Sequence, residues 1–206
     1  MYQLYTIPGS CSTGIHVLLN QLGVPFEMVK RDDVKNYAQM VPTNQVPALQ
    51  TDNHLVTEGA AIVLHLLAAH GQQALLDDPE FIRWLMFNYA TMHPAYGKLF
   101  AVNAMMDDSD AKRQLLQKLG NRVAEYWQIV DNHLQDRTSM HGDQITVLDY
   151  LLAVYVRWGN LFSNVRIPVG DHVIALVNRV VALPEFQQAF EREGVAYSIP
   201  DNALAA

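Results

Sequence analysis

The chain has 206 residues, half of them hydrophobic and 17% charged, with a formal net charge of −7. That composition supplies a real core for one large domain or two small ones and excludes a disordered chain. The acidic balance, with no dense Lys/Arg stripe, argues against a nucleic-acid partner, because neutralising phosphates needs clustered positive charge.

The first residues, "MYQLYTIPGSCS", hold no basic segment followed by an apolar one, so they do not read as a signal peptide. The longest apolar run, "AAIVLHLLAA" over 60–69, is about half a membrane span, and no membrane association is expected. A single cysteine, Cys11, cannot form an internal disulfide. With no leader, it points to the reducing cytoplasm.

"YQLYT" (2–6) reads as a short strand ended by Pro8-Gly9, and residues 12–22 follow as a helix with Ile15, Leu18, Leu19 and Leu22 on one face. Gly23 and Pro25 close that helix, and "FEMV" (26–29) is a second strand. "DDVKNYAQMV" (32–41) is at most a short helix. "VPAL" (46–49) and "HLVT" (54–57) form a hairpin pair, and "EGAAIVLHLLAAHG" (58–71) is a helix closed by Gly71. The order β-α-β-(α)-β-β-α is that of a thioredoxin-like α/β domain over residues 1–71. A linker over 72–78 is expected next, then an all-α helical domain over 79–206. Asp78-Pro79-Glu80 has the chemistry of a helix start. Leu115, Leu119, Val123, Trp127, Val130 and Leu134 recur at helical spacing, and Thr146 and Asp149 have the spacing of a capping box.

Four sites carry chemistry. Cys11 falls where a strand turns into a helix, and from the residues alone it is either a small buried hydrophobe or an activated thiol. A helix N-terminus favours the anion through unpaired N–H groups and the macrodipole, which would pull the thiol below its ordinary ionisation range. Ser12 beside it is either a cap or a hydroxyl donor to a thiolate. Val46 precedes Pro47 at the start of a strand and is held extended, so a peptide-like ligand can pair with its backbone. Glu58 and Gly59 open the helix after the hairpin: N–H groups there suit a carboxylate, and Glu58 suits an ammonium. His93 sits on a helix just before Pro94. The eight histidines show no metal-ligand spacing, so no metal is expected; His65 and His70, five residues apart, read as lying on different helix faces.

"IPGSCSTGIHVLLNQLGVPFEMVKRD", "NQVPALQTDNHLVTEGAAIVLHL" and "DQITVLDYLLAVYVRW" resemble the bacterial glutathione S-transferases of the beta class, in matching order and nearly end to end. The resemblance implies their fold and, as activity, conjugation of the glutathione thiolate to a small hydrophobic electrophile. Its alternatives are a glutathione-dependent thiol–disulfide exchange through Cys11, and a binding protein that keeps the fold without catalysis. It implies that Cys11 lies beside the glutathione sulfur, that Val46 pairs with the cysteinyl part across a cis Val46–Pro47 bond, and that Glu58 and Gly59 hold the γ-glutamyl group. It implies that His93 faces the active site, with Tyr96, Phe100 and Trp158 as walls of the electrophile pocket, and that the protein is a homodimer. The chain departs from the class at Met86, Thr91 and Pro94, where asparagine, glutamate and lysine are usual. Its short segment 31–44 leaves Lys35 as the candidate for the glycyl carboxylate.

Overall fold

The computed structural model describes residues 1–204. In chain order its elements are β1 (Tyr2–Thr6), α1 (Ser12–Gln21), β2 (Phe26–Lys30), α2 (Tyr37–Met40), β3 (Ala48–Gln50), β4 (Leu55–Thr57), α3 (Gly59–Ala69), α4 (Gln73–Leu76), α5 (Pro79–Met86), α6 (His93–Met105), α7 (Asp110–His133), α8 (Val147–Trp158), α9 (Asp171–Val181) and α10 (Pro184–Glu193). They pack as two units: Met1–Leu85 with Val181–Ala196, and Met86–Val180 with the residues from Tyr197.

In the first unit the sheet order is β2-β1-β3-β4. β1 and β2 are parallel, as a strand–helix–strand unit requires, and the other pairs are antiparallel. Eight consecutive α1 residues, Ser12 to Leu19, are buried. A helix buried all round needs partners for its polar side chains. α10 supplies them: it packs on α1, and its terminal Glu193 takes the polar groups of Thr13 and His16. Asn20 adds a second tie, donating to the Glu185 carbonyl at 3.0 Å.

The second unit is helical. Every residue of α8 except Arg157 is buried, which makes it the central helix of that unit. The capping box forms: the Asp149 carboxylate accepts from the Thr146 N–H at 2.7 Å, and the Thr146 hydroxyl accepts from the Leu148 N–H at 3.3 Å. On α7 the buried stripe runs Leu116, Gly120, Val123, Trp127, Val130, so the expected start at Leu115 is off by one; that side chain is exposed. The cause is Gly120, where a Cβ would run into the Val165 side chain, so the helix turns its bare backbone inward there. Before α6 the ladder widens to a π-helix over Phe87–Met92. Pro94 lacks the N–H that Ala90 would receive, and its ring crowds that carbonyl.

Candidate functional site

Strand register collects three corners at one end of the sheet. Tyr5 faces Ala48, and Ala48 faces Thr57. The turn after β1 (residues 7–11), the entry to β3 at Val46 and Pro47, and the exit from β4 at Glu58 therefore share that end. β2 leaves from the same end, since Thr6 lies beside Lys30, and the chain then passes through the exposed turn that carries Lys35. The Val46–Pro47 bond is cis. Val46 is half-buried and packs against the Tyr5, Tyr37, Val41 and Ala48 cluster, while Pro47 is buried.

Cys11 occupies the N-cap of α1 and its Sγ donates to the Val46 carbonyl at 3.7 Å. The expected activation of this thiol is not what the structure holds. Its side chain is only 5% exposed, and burial pushes the thiol up to about 12, against a smaller downward pull from the N–H groups of Cys11 and Ser12. Desolvation outweighs the helix end because the macrodipole contributes at most about 2 kcal/mol, whereas burying an anion costs more. The first-turn donors are also less free than expected. Ser10, the residue before the N-cap, takes two of them: its Oγ accepts from the Ser12 N–H at 3.2 Å and its carbonyl from the Thr13 N–H at 3.0 Å. The Ser12 hydroxyl, 2.7 Å from that of Ser10, donates to the Ile7 carbonyl at 3.3 Å. Ser10 is thus a polar residue of this corner that the sequence analysis does not single out.

A second missed group lies beneath the turn. The Glu193 carboxylate accepts from the Gly9 N–H and the Thr13 hydroxyl through Oε2, both at 2.8 Å, and meets His16 Nδ1 through Oε1 at 2.9 Å. Gly9 sits at φ 73°, which glycine adopts without a Cβ penalty. The partners are 177 to 184 residues apart in sequence, and no local pattern announces such a pairing.

At the third corner Glu58 is exposed and adopts φ 68°, ψ 115°, a conformation that costs a non-glycine residue about 1–3 kcal/mol. Gly59 behind it is buried and begins α3, whose first-turn N–H groups carry the positive end of the helix dipole. An acidic, strained residue ahead of an N–H-rich helix end can pair with an ammonium while the helix receives a carboxylate.

His93 belongs to the second unit and stands at the start of α6, edge-on to Tyr155 and Trp158 with centroids 6.0 and 5.4 Å away. Burial lowers its pKa, which favours a neutral imidazole. Tyr96 and Trp158, read as pocket walls, are 1% and 4% exposed and pack against each other at 5.5 Å; they are core. Phe100 stays half-buried at the margin of that aromatic cluster.

At the opposite end of the sheet His54, His65 and His70 line one cleft of about 400 Å³. His65 and His70 both line it, contrary to the helical-face reading, because His70 lies past the last turn of α3. Among the described residues no three such side chains are grouped to hold a metal ion.

Comparison with known proteins places this architecture. The family model "Glutathione S-transferase, N-terminal domain" matches residues 1–68. Glutathione S-transferase GST-4.5 of Xanthomonas campestris pv. campestris is 28% identical over 203 residues, spanning 94% of this chain and 99% of that protein. A glutathione S-transferase from Xylella fastidiosa superposes with a TM-score of 0.84 at 26% identity, over 95% of this chain and all (100%) of the other. A beta-class glutathione S-transferase from Sphingomonas chungbukensis shares the fold, with a TM-score of 0.80 at 24% identity over 94% of this chain and 100% of that one.

Proposed function

We propose that the chain is a glutathione S-transferase of beta-class likeness, and that it joins the sulfur of glutathione to a small hydrophobic electrophile at the end of the sheet that carries Cys11, Val46 and Glu58. The tripeptide lies along Val46–Pro47 as an added extended segment. Its γ-glutamyl ammonium pairs with Glu58 and its α-carboxylate meets the α3 N-terminus at Gly59. Lys35 serves the glycyl carboxylate. The glutathione sulfur sits at the Cys11–Ser12 corner, where the Ser12 hydroxyl turns from the Ile7 carbonyl toward the thiolate, and Cys11 offers its S–H in place of its present bond to Val46. The thiolate then attacks the electrophile, and the leaving group departs.

The observation that carries this reading is the Tyr5–Ala48–Thr57 row, which puts a thiol corner, the Val-Pro entry to β3 and an acidic helix start at one end of the strands. Burial of Cys11 counts against its acting as the nucleophile in disulfide exchange. We further propose a homodimer acting in the cytoplasm. Among the described residues no helix is long and apolar enough to cross a membrane, and light scattering reads the mass directly.

The test is steady-state conjugation of glutathione to an activated aryl chloride. Saturable dependence on glutathione is expected, with Glu58→Gln raising KM about tenfold at similar kcat through loss of one charge-assisted contact. Turnover no faster than the uncatalysed reaction at millimolar glutathione contradicts the reading.

A further inference from the structure

We propose that Glu193 is a positioning residue for the Cys11–Ser12 corner: one buried carboxylate from α10 clamps the chain on both sides of the reacting pair. Gly9 lies two residues before Cys11 and Thr13 two after it, and both donate to the same oxygen, Oε2, at 2.8 Å. The other oxygen faces His16 Nδ1 at 2.9 Å, and the side chains of His16 and Glu193 are both 0% exposed. His16 packs edge-on with Phe26 at 5.2 Å, and the Arg192 guanidinium lies over the Phe26 ring at 4.9 Å. The acceptor is therefore fixed on a packed helix and cannot follow the turn if the turn moves.

The chemistry of the acceptor matters. A carboxylate accepts from Gly9 and Thr13 through one oxygen while the other faces His16; an amide in its place offers a single accepting oxygen and turns an NH₂ toward one of these groups. A donor left unsatisfied out of water finds a new partner by moving its backbone, and here the backbone that moves is the one carrying Cys11 and Ser12. Misplacing a sulfur by about an ångström costs rate or affinity far beyond the lost bond. A second α1–α10 tie, Asn20 to the Glu185 carbonyl, joins the same helices without touching the turn, which separates positioning from plain stability.

The proposal rests on the glutathione reading above, and the experiment keeps the two apart by using one readout with glutathione and one without. Glu193→Gln, Thr13→Val and Asn20→Ala are compared with wild type for glutathione KM and kcat, for the rate of Cys11 alkylation by iodoacetamide, and for melting temperature. Glu193→Gln is expected to raise KM about tenfold with kcat within about threefold, and to speed alkylation about tenfold as the turn loosens. Thr13→Val should follow in the same direction with smaller changes. Asn20→Ala should lower the melting temperature and leave KM and alkylation unchanged. If Glu193→Gln does not fold, Thr13→Val decides by the same two readouts. If wild type shows no glutathione turnover, the glutathione reading fails and the alkylation rates alone decide the positioning. The proposal is overturned if the folded Glu193 and Thr13 variants lose melting temperature as Asn20→Ala does while KM and alkylation stay within about twofold of wild type.

Discussion

A thiol raised from its ordinary 9.0 to about 12 has a measurable consequence at neutral pH. Three log units remove about 99.9% of the thiolate that an exposed cysteine holds at the same pH, and the thiolate is the reactive form. At pH 8 Cys11 should therefore react with iodoacetamide about a thousandfold more slowly than free glutathione does, before any further loss from its 5% exposure. The assay is pseudo-first-order alkylation followed by intact mass from pH 6 to 10.5. The logarithm of the rate should climb with unit slope to the end of the range, with no plateau. The same burial sets an alkaline limit on stability. The folded value lies above the unfolded one, so the contribution is complete below pH 9 and is lost as pH rises from 9 toward 12, up to about 4 kcal/mol. Cys11→Ala should lack that decline. A plateau at or below pH 9, or a rate within about tenfold of glutathione, would refute the burial argument and return Cys11 to the role of nucleophile.

Ser12→Ala should cut kcat for conjugation by about tenfold or more, whereas Cys11→Ala should keep conjugation within severalfold and abolish any mixed disulfide with oxidised glutathione, read by intact mass. Asp149→Ala leaves the buried Thr146 and Met140 N–H groups without their acceptor and should cost about 2–4 kcal/mol in denaturant titration. Burial raises Asp149 from 3.8 to about 6, so the native state holds the extra proton between those values. The wild type should gain stability as pH falls from 6 toward 4, by up to about 3 kcal/mol, and Asp149→Asn should lose that slope. Gly170→Ala places a Cβ against the Asp131 carboxylate at φ 94°. Because that carboxylate accepts from the His172 and Val173 N–H groups at 2.9 and 3.1 Å, the start of α9 should loosen and the melting temperature fall by several degrees.

How far the sequence could be read depended on whether a feature was made by neighbours in the chain. Pro8-Gly9 and the Thr146/Asp149 pair punctuate elements locally, and their elements lie where the pattern placed them. Pro47 at a strand start and Gly59 at a helix start marked their corners locally, but the cis bond came only through the resemblance, and nothing in the residues announced the positive φ of Glu58. The ionisation of Cys11 was misjudged because the field of the helix end is local while the burial that opposes it comes from the packed unit. Glu193 was invisible for the same reason. Its partners lie in the first helix, and nothing in "EFQQAFEREG" marks one glutamate as buried. The Leu115 error came from treating α7 as a uniform face, when Gly120 draws the helix in at a different angle.

The most direct test is to titrate isotopically labelled protein with glutathione and follow the backbone amides by NMR. The account predicts that Val46, Ser12 and Gly59, distant in sequence but at one end of the strands, shift together with a common saturation curve, while His65 and His70 at the other end stay still. Shifts centred on the histidine cleft, or no shift at millimolar glutathione, would contradict it.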